Sequence, residues 1–439
     1  MKLWLIINII LLNLILLSCN NETETADQSV NSIAEHYVKL VLATGKYDKD
    51  YVDAYFGPEE WKVETEKWEM TLEQIKLNAD SLISELDMIR TAGFEEMNLK
   101  RLKFLRRMIQ ALSYKAFLLL SNKMTFDEES KALFDAVAPS YQDEKYVKIL
   151  NELEKIIPGD GALDDRFIEY KKQFIIPADK VDTVFKVAIE EGKRRTLQHI
   201  KMPDKENFIL EYVRDKSWGG YNWFKGDATS LIQVNIDLPK YINGAVGLAC
   251  HEGYPGHHVY HSLIEVKFVK KNGWMEFTVY PLFSPEALLS EGTANFGIEV
   301  VFQKEERMKY EKEVLFPLAG LSSEKADEYY KILELVNELS YASVDVARSF
   351  LDGKISREEA VEKIMKYKLR SRAHAEINVN FFEQYRSYII NYYMGEELCR
   401  NWVESRGGTP DKPEKRWELF IELLSAPFLP SDLVTHKEN

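Results

Sequence analysis

Apolar positions recur along most of this chain at helical spacing. From Thr71 to Arg90 they fall at Leu72, Ile75, Leu82, Ile83, Leu86 and Ile89, behind a Thr71 cap followed by Glu73-Gln74. Asn98 to Ser121 carries a face rich in Leu, Phe and Met. Asp179 to His199 sets Val181, Val184, Phe185, Val187 and Ala188 against Glu190, Glu191, Lys193 and Arg194. Ser322 to Leu351 reads as one long amphipathic helix, stopped at Asp352-Gly353. Ser356-Arg357-Glu358-Glu359 has the form of a capping box that starts the next. Only Thr229 to Leu238 reads clearly as a strand, with Leu231 and Gln233-Val234-Asn235-Ile236-Asp237 alternating before Pro239. Trp218 to Gly226, rich in glycine and aromatics, reads as a loop able to wall a cleft. The pattern predicts a mainly α, multi-helix fold with a small β-sheet.

The first eighteen residues have a different pattern. Lys2 precedes an almost wholly apolar run from Leu3 to Leu17, and Leu16-Leu17-Ser18-Cys19 reads as a lipoprotein processing box. Acyl chains on Cys19 would anchor the protein at a bacterial cell envelope, facing the periplasm or the surface, with the membrane touched only through the lipid. Residues 19–27 are then the lipidated cysteine and a polar tether, 28–200 an N-terminal helical region, and 201–439 the catalytic region. Without Lys2 the balance is 56 basic against 71 acidic residues. With no long basic run, nucleic acid is not an expected partner. Cys250 and Cys399 are the two other cysteines, too few for a disulfide-built scaffold.

The chemistry concentrates in Cys250-His251-Glu252-Gly253-Tyr254-Pro255-Gly256-His257-His258. Of eight histidines, four (His251, His257, His258 and His261) fall within eleven residues. Neutral imidazoles bind zinc, and a neighbouring carboxylate can move a proton. The familiar zinc-peptidase helix spaces its histidines four apart, with glutamate after the first. Here the spacing is six, which on an unbroken helix sets the two rings about 240° apart. Pro255-Gly256 offers the remedy, a break that returns His251 and His257 to one ion. His257 with His261 is the competing ligand pair, at regular helical spacing but without a glutamate after its first histidine. Cys250 fits a buried filler better than a ligand.

These residues resemble the signature of the DUF885 family of bacterial proteins. Tyr51-Val52-Asp53-Ala54-Tyr55-Phe56-Gly57-Pro58 is similar to an N-terminal segment of some members, and Ser290-Glu291-Gly292-Thr293-Ala294-Asn295 resembles a downstream glutamate-glycine motif. The resemblance implies a metallopeptidase-like helical fold with its sheet beside the metal helix, and one Zn2+ per chain on His251, His257 and Glu291. Glu286 and Glu299, on the same expected helix Glu286–Gln303, are the other carboxylates in reach. Glu252 is the expected general base. Arg386 to Gly395 resembles the family's Arg-Tyr…Tyr-x-x-Gly segment but lacks the Pro-x-Gln-Ala between its parts. It offers Arg386 with Tyr388, Tyr392 or Tyr393 to support an oxyanion. His258, and Asn235 on the strand, are candidates for substrate binding, and His374 has no assigned role.

The reading that follows is a zinc-dependent hydrolase, foremost a peptidase, acting on a peptide or small amide. The same residues fit two other readings: a peptide- or ligand-binding surface lipoprotein with a structural metal, or a metal-dependent amidase or esterase. A His/His/Glu set suits zinc and also admits iron, nickel or manganese.

Overall fold

The computed structural model describes residues 26–434 apart from Ser217 and Leu238. The signal segment and Cys19 lie outside the described residues. A helix over 26–44 takes in Ala26 and Asp27, the last two residues read as tether. The fold is mainly helical with two small sheets.

Several helices lie where their patterns put them: Leu72–Asp87, Glu96–Leu119, Val181–Thr196 and Pro285–Val301. Thr71 and Ser356 each form a complete capping box, with Gln74 and with Glu359. The long helix expected over Ser322–Leu351 is two, Ala326–Glu338 and Ala342–Leu351. Ser340 Oγ donates to both the backbone carbonyl and the side-chain oxygen of Asn337 at the break. Such local side-chain bonds compete with the helical ladder.

The strands depart further from expectation. β1 (Val52–Tyr55) pairs antiparallel with β5 (Val279–Pro281). β2 (Asn207–Val213), β3 (Gly220–Phe224) and β4 (Thr229–Asn235) form a second sheet in the order β2-β4-β3. The strand read from the sequence, β4, is the central one of this sheet, bonded parallel to β2 and antiparallel to β3. The edge nearest the metal motif is β3, which the sequence reads as loop. It packs on the helices Ile242–Glu252 and His257–Ile264, and Asn222 Nδ2 donates to the Glu252 carbonyl at 2.6 Å.

One contiguous hydrophobic cluster takes buried side chains from Val30 to Leu433, on both sides of residue 200. Inside it Arg101 makes a bidentate bond to Glu276, at 2.6 and 2.9 Å, with both residues almost fully buried. Among the described residues no helix is long and apolar enough to cross a membrane. Cys250 and Cys399 are buried and unpaired.

Candidate metal centre

The helix carrying His251 ends at Glu252, and a new helix starts at His257. Between them Gly253-Tyr254-Pro255-Gly256 folds back so tightly that Gly256 N donates to Cys250 O at 2.9 Å. A Cβ on Gly256 would sit 1.8 Å from His251 O, so no other residue fits this turn. The two histidines thus sit on separate helices. Their Nε2 atoms are 3.2 Å apart. Glu291, in the middle of the buried helix Pro285–Val301, completes the group. Its Oε2 lies 3.4 Å from His251 Nε2 and its Oε1 3.8 Å from His257 Nε2.

These spacings suit a metal ion. Ligand atoms about 2.0–2.1 Å from a tetrahedral zinc stand about 3.4 Å from one another. Both rings present Nε2 because Nδ1 is already held. Asn295 Nδ2 donates to the Tyr392 carbonyl at 3.0 Å, which turns Asn295 Oδ1 toward His251 Nδ1 at 2.9 Å. The His251 proton then belongs on Nδ1, leaving the Nε2 lone pair for a ligand. His257 Nδ1 meets Ser290 Oγ at 3.1 Å. Glu291 Oε1 accepts from the Tyr388 hydroxyl at 3.1 Å, while buried Oε2 makes no hydrogen bond and has His251 Nε2 3.4 Å away. An unpartnered buried carboxylate oxygen is costly, and a bound cation would satisfy it. Among the described residues this is the one His/Cys/Asp/Glu trio with convergent donor atoms.

The protein's own charges express the same design. Burial works against a charged His251, but Glu291 and Glu252 outweigh it and push the ring up to about 9. Burial and the nearby His251 push His257 down to about 4. Glu291, despite burial, is held below the usual carboxylate range by His251, His257 and Tyr388. The trio thus shares a proton where a cation could sit. Glu252 is 5 % exposed, with no side-chain hydrogen bond to a described residue. Burial pushes it up to about 7, against the pull of His251.

The other expected residues divide. Tyr392 is half-buried beside Tyr388, with ring centroids 5.7 Å apart, and feels the charges of Glu291 and Glu252. Its hydroxyl has no partner among the described residues. Arg386 does not join the group. Its Nε donates to buried Glu129 at 2.6 Å, which fastens the residue-386 corner to the helix Phe126–Phe134. His258 is fully buried, with Nδ1 on Ser230 Oγ at 2.9 Å and Nε2 on Glu206 at 3.1 Å, so neither nitrogen is open to substrate. Asn235 is likewise committed: its Nδ2 donates to the carbonyls of Lys216 and Trp218, and its Oδ1 accepts from Asp237 N. Glu299 pairs with Arg400 and Arg416, and Glu286 is buried beside Glu276 and pushed up to about 8. His261 lies among Phe224, Tyr280 and Tyr260, outside the trio. Burial raises the Cys250 thiol to about 12, as for an inert filler. Ser371 Oγ holds His374 Nδ1 at 2.8 Å.

Sequence reasoning assigned no role to Asn295 and Ser290, which hold the two imidazoles. Asn295 lies four residues after Glu291 on one helix, a spacing that marks a shared face, while Ser290 directly precedes Glu291 and carries no such signal.

No protein-family model matches the chain and no curated protein does, so the DUF885 resemblance rests on the motifs themselves. Solved structures do resemble it. A candidate lipoprotein from Colwellia psychrerythraea aligns over 84 % of this chain and 70 % of its own, with TM-score 0.52 and 13 % identity. A candidate lipoprotein of unknown function from Shewanella oneidensis aligns over 83 % and 72 %, with TM-score 0.46 and 14 % identity. An M32 carboxypeptidase from Deinococcus radiodurans R1 aligns over 94 % of each chain, with TM-score 0.38 and 12 % identity. Identities this low speak to fold alone, and what the chain shares with the Colwellia protein is its largely helical architecture.

Proposed function

We propose that the protein is a zinc-dependent hydrolase of the bacterial cell envelope, tethered by lipid on Cys19, that cleaves peptide bonds. The observation that carries this reading is the convergence of His251 Nε2, His257 Nε2 and Glu291 at tetrahedral spacing, with an unpaired, buried Glu252 directly after the first ligand. Structural zinc has four protein ligands, commonly cysteines. Three non-cysteine donors leave a coordination position open, as catalysis requires. Zinc held there would supply Lewis acidity and lower the pKa of water beside it.

The chain's own residues then have separable tasks. Glu252 takes a proton from the attacking water and returns it to the leaving amine; among the protein's own charges its pKa of about 7 suits both transfers. Tyr392, with its hydroxyl unengaged, donates to the developing oxyanion. Tyr388 holds Glu291 in place through its 3.1 Å bond and so positions a ligand. Asn295 and Ser290 hold the two imidazoles.

Replacing Glu252 by Gln tests the reading. The variant keeps the metal and the fold and loses peptide hydrolysis by about 10²-fold or more. Hydrolysis undiminished in that variant would remove Glu252 as the base.

A further inference from the structure

β3 touches both of the helices that carry the histidines, and alternate residues of it face them. Gly220 comes so close to the first helix that a Cβ there would run into the Leu248 side chain. The Phe224 ring lies 5.4 Å from that of His261, one turn beyond His257 on the second helix. Between them, buried Asn222 donates from Nδ2 to the Glu252 carbonyl at 2.6 Å. A carbonyl only accepts, so the amide nitrogen must face it and Oδ1 is left over. Oδ1 is buried and has no hydrogen-bond partner among the described residues.

A buried amide with half its bonding capacity unmet is a costly core residue and calls for a reason. Glu252 supplies one. It is the last residue of the helix Ile242–Glu252, and the chain folds back directly after it. At such an end a carbonyl loses its partner from the following turn. Gly253 N goes to Ala249 O and Gly256 N to Cys250 O, so Asn222 is the one donor that the Glu252 carbonyl has among the described residues. The Glu252 carboxylate has no hydrogen bond to a described residue either, so Asn222 is the hold on this residue from outside its own helix. Helix ends fray, whereas a base must stay within hydrogen-bond reach of the proton it takes. We infer that Asn222 is a positioning residue: from β3 it holds the Glu252 carbonyl and so fixes the helix end from which the Glu252 carboxylate acts. This inference rests on the peptide-hydrolase reading above.

The test is a kinetic cycle of zinc-loaded wild type, Asn222→Leu, Glu252→Gln and the double variant. Leucine keeps the branched shape of asparagine and gives up the donor. The probe is an equimolar set of synthetic tetradecapeptides, from which the member that the wild type cleaves fastest is followed. Asn222→Leu is expected to lower kcat about tenfold to hundredfold with KM and zinc content unchanged, because a displaced base loses rate and not binding. In the Glu252→Gln background the same change should alter the residual rate by less than about twofold, since the two residues act as one unit. Wild-type kcat in Asn222→Leu, or equal losses in both backgrounds, overturns the inference. So does a raised KM with kcat untouched, which would place Asn222 on the substrate. Loss of zinc or of the fold in both Asn222→Leu and Asn222→Ala overturns it in favour of a purely structural bond. In each of these cases wild-type turnover leaves the hydrolase standing. A zinc-loaded wild type that cleaves no member of the set removes the hydrolase reading, and the inference with it.

Discussion

At the scale of single residues, the account turns on how the imidazoles are held. Asn295 fixes His251 through an amide whose orientation is set by the Tyr392 carbonyl. Asn295→Ala is expected to lower zinc affinity by about 10–100-fold without unfolding the protein, as outer partners of metal ligands commonly do. Competition with a chelator measures this, and an unchanged affinity would show that His251 needs no such hold. A pH dependence follows from the same ring. His251 titrates at about 9 because Glu291 and Glu252 overcome its burial. Zinc must expel that proton, since only the neutral ring is a ligand. Apparent zinc affinity should therefore rise about tenfold per pH unit from pH 6 until it levels near pH 9, and a flat profile would contradict the shared-proton site. The grouping of His251 with His257 was legible because the seven positions from one to the other hold both donors and the Pro-Gly break between them. The roles expected of Arg386, His258 and Asn235 were misread for one physical reason: polarity shows that a side chain needs a partner, not whether that partner is substrate or protein. Glu129, Glu206 and Ser230, and the carbonyls of Lys216 and Trp218, are those partners.

At the scale of elements, two helices decide where the third donor and the tyrosines meet. Pro285–Val301 and Ile390–Ser405 make the most extensive helix–helix contact among the described residues. They cross at Gly292 and Gly395, where a Cβ on Gly292 would lie 2.4 Å from the Gly395 carbonyl carbon. The obstacle is backbone, which cannot swing aside. Gly292→Ala should cost about 1–3 kcal/mol in chemical denaturation and weaken zinc binding by shifting Glu291 against Tyr388. Wild-type stability with wild-type affinity would show that the crossing is looser than described. Helix positions were readable because a 3.6-residue period persists over many residues. The small sheets were not. β3 spans Gly220–Phe224 and β5 Val279–Pro281, segments too short for an alternating pattern to stand out. The central place of β4 depends on β2, a parallel partner earlier in the chain, as well as on the hairpin with β3, and the parallel pairing is non-local. The break at Leu339–Tyr341 and the bulge at Asp53 were likewise hidden, since each is settled by a local hydrogen bond or a cross-strand register.

At the scale of the whole molecule, the site draws on distant parts of the chain. The helix Pro285–Val301 brings Glu291, the turn Arg386–Ile389 brings Tyr388, and the helix Ile390–Ser405 brings Tyr392. One hydrophobic cluster and the buried Arg101–Glu276 pair tie the early helices to the region that carries the donors. A buried ion pair costs about 3–5 kcal/mol when one partner is removed, so this joint is stiff. Such a frame holds three donor atoms at fixed spacing before an ion arrives, which keeps the ordering cost of binding low. The central claim is that this frame is a metal site, and metal content tests it most directly. Purified soluble protein comprising residues 20–439 should carry about one zinc per chain, as expected of one closed trio of donors, and both His251→Ala and Glu291→Ala should lose it while remaining folded. Zinc retained by the Glu291 variant would contradict the ligand set, and folded wild-type protein that takes up no divalent metal would contradict the hydrolase itself.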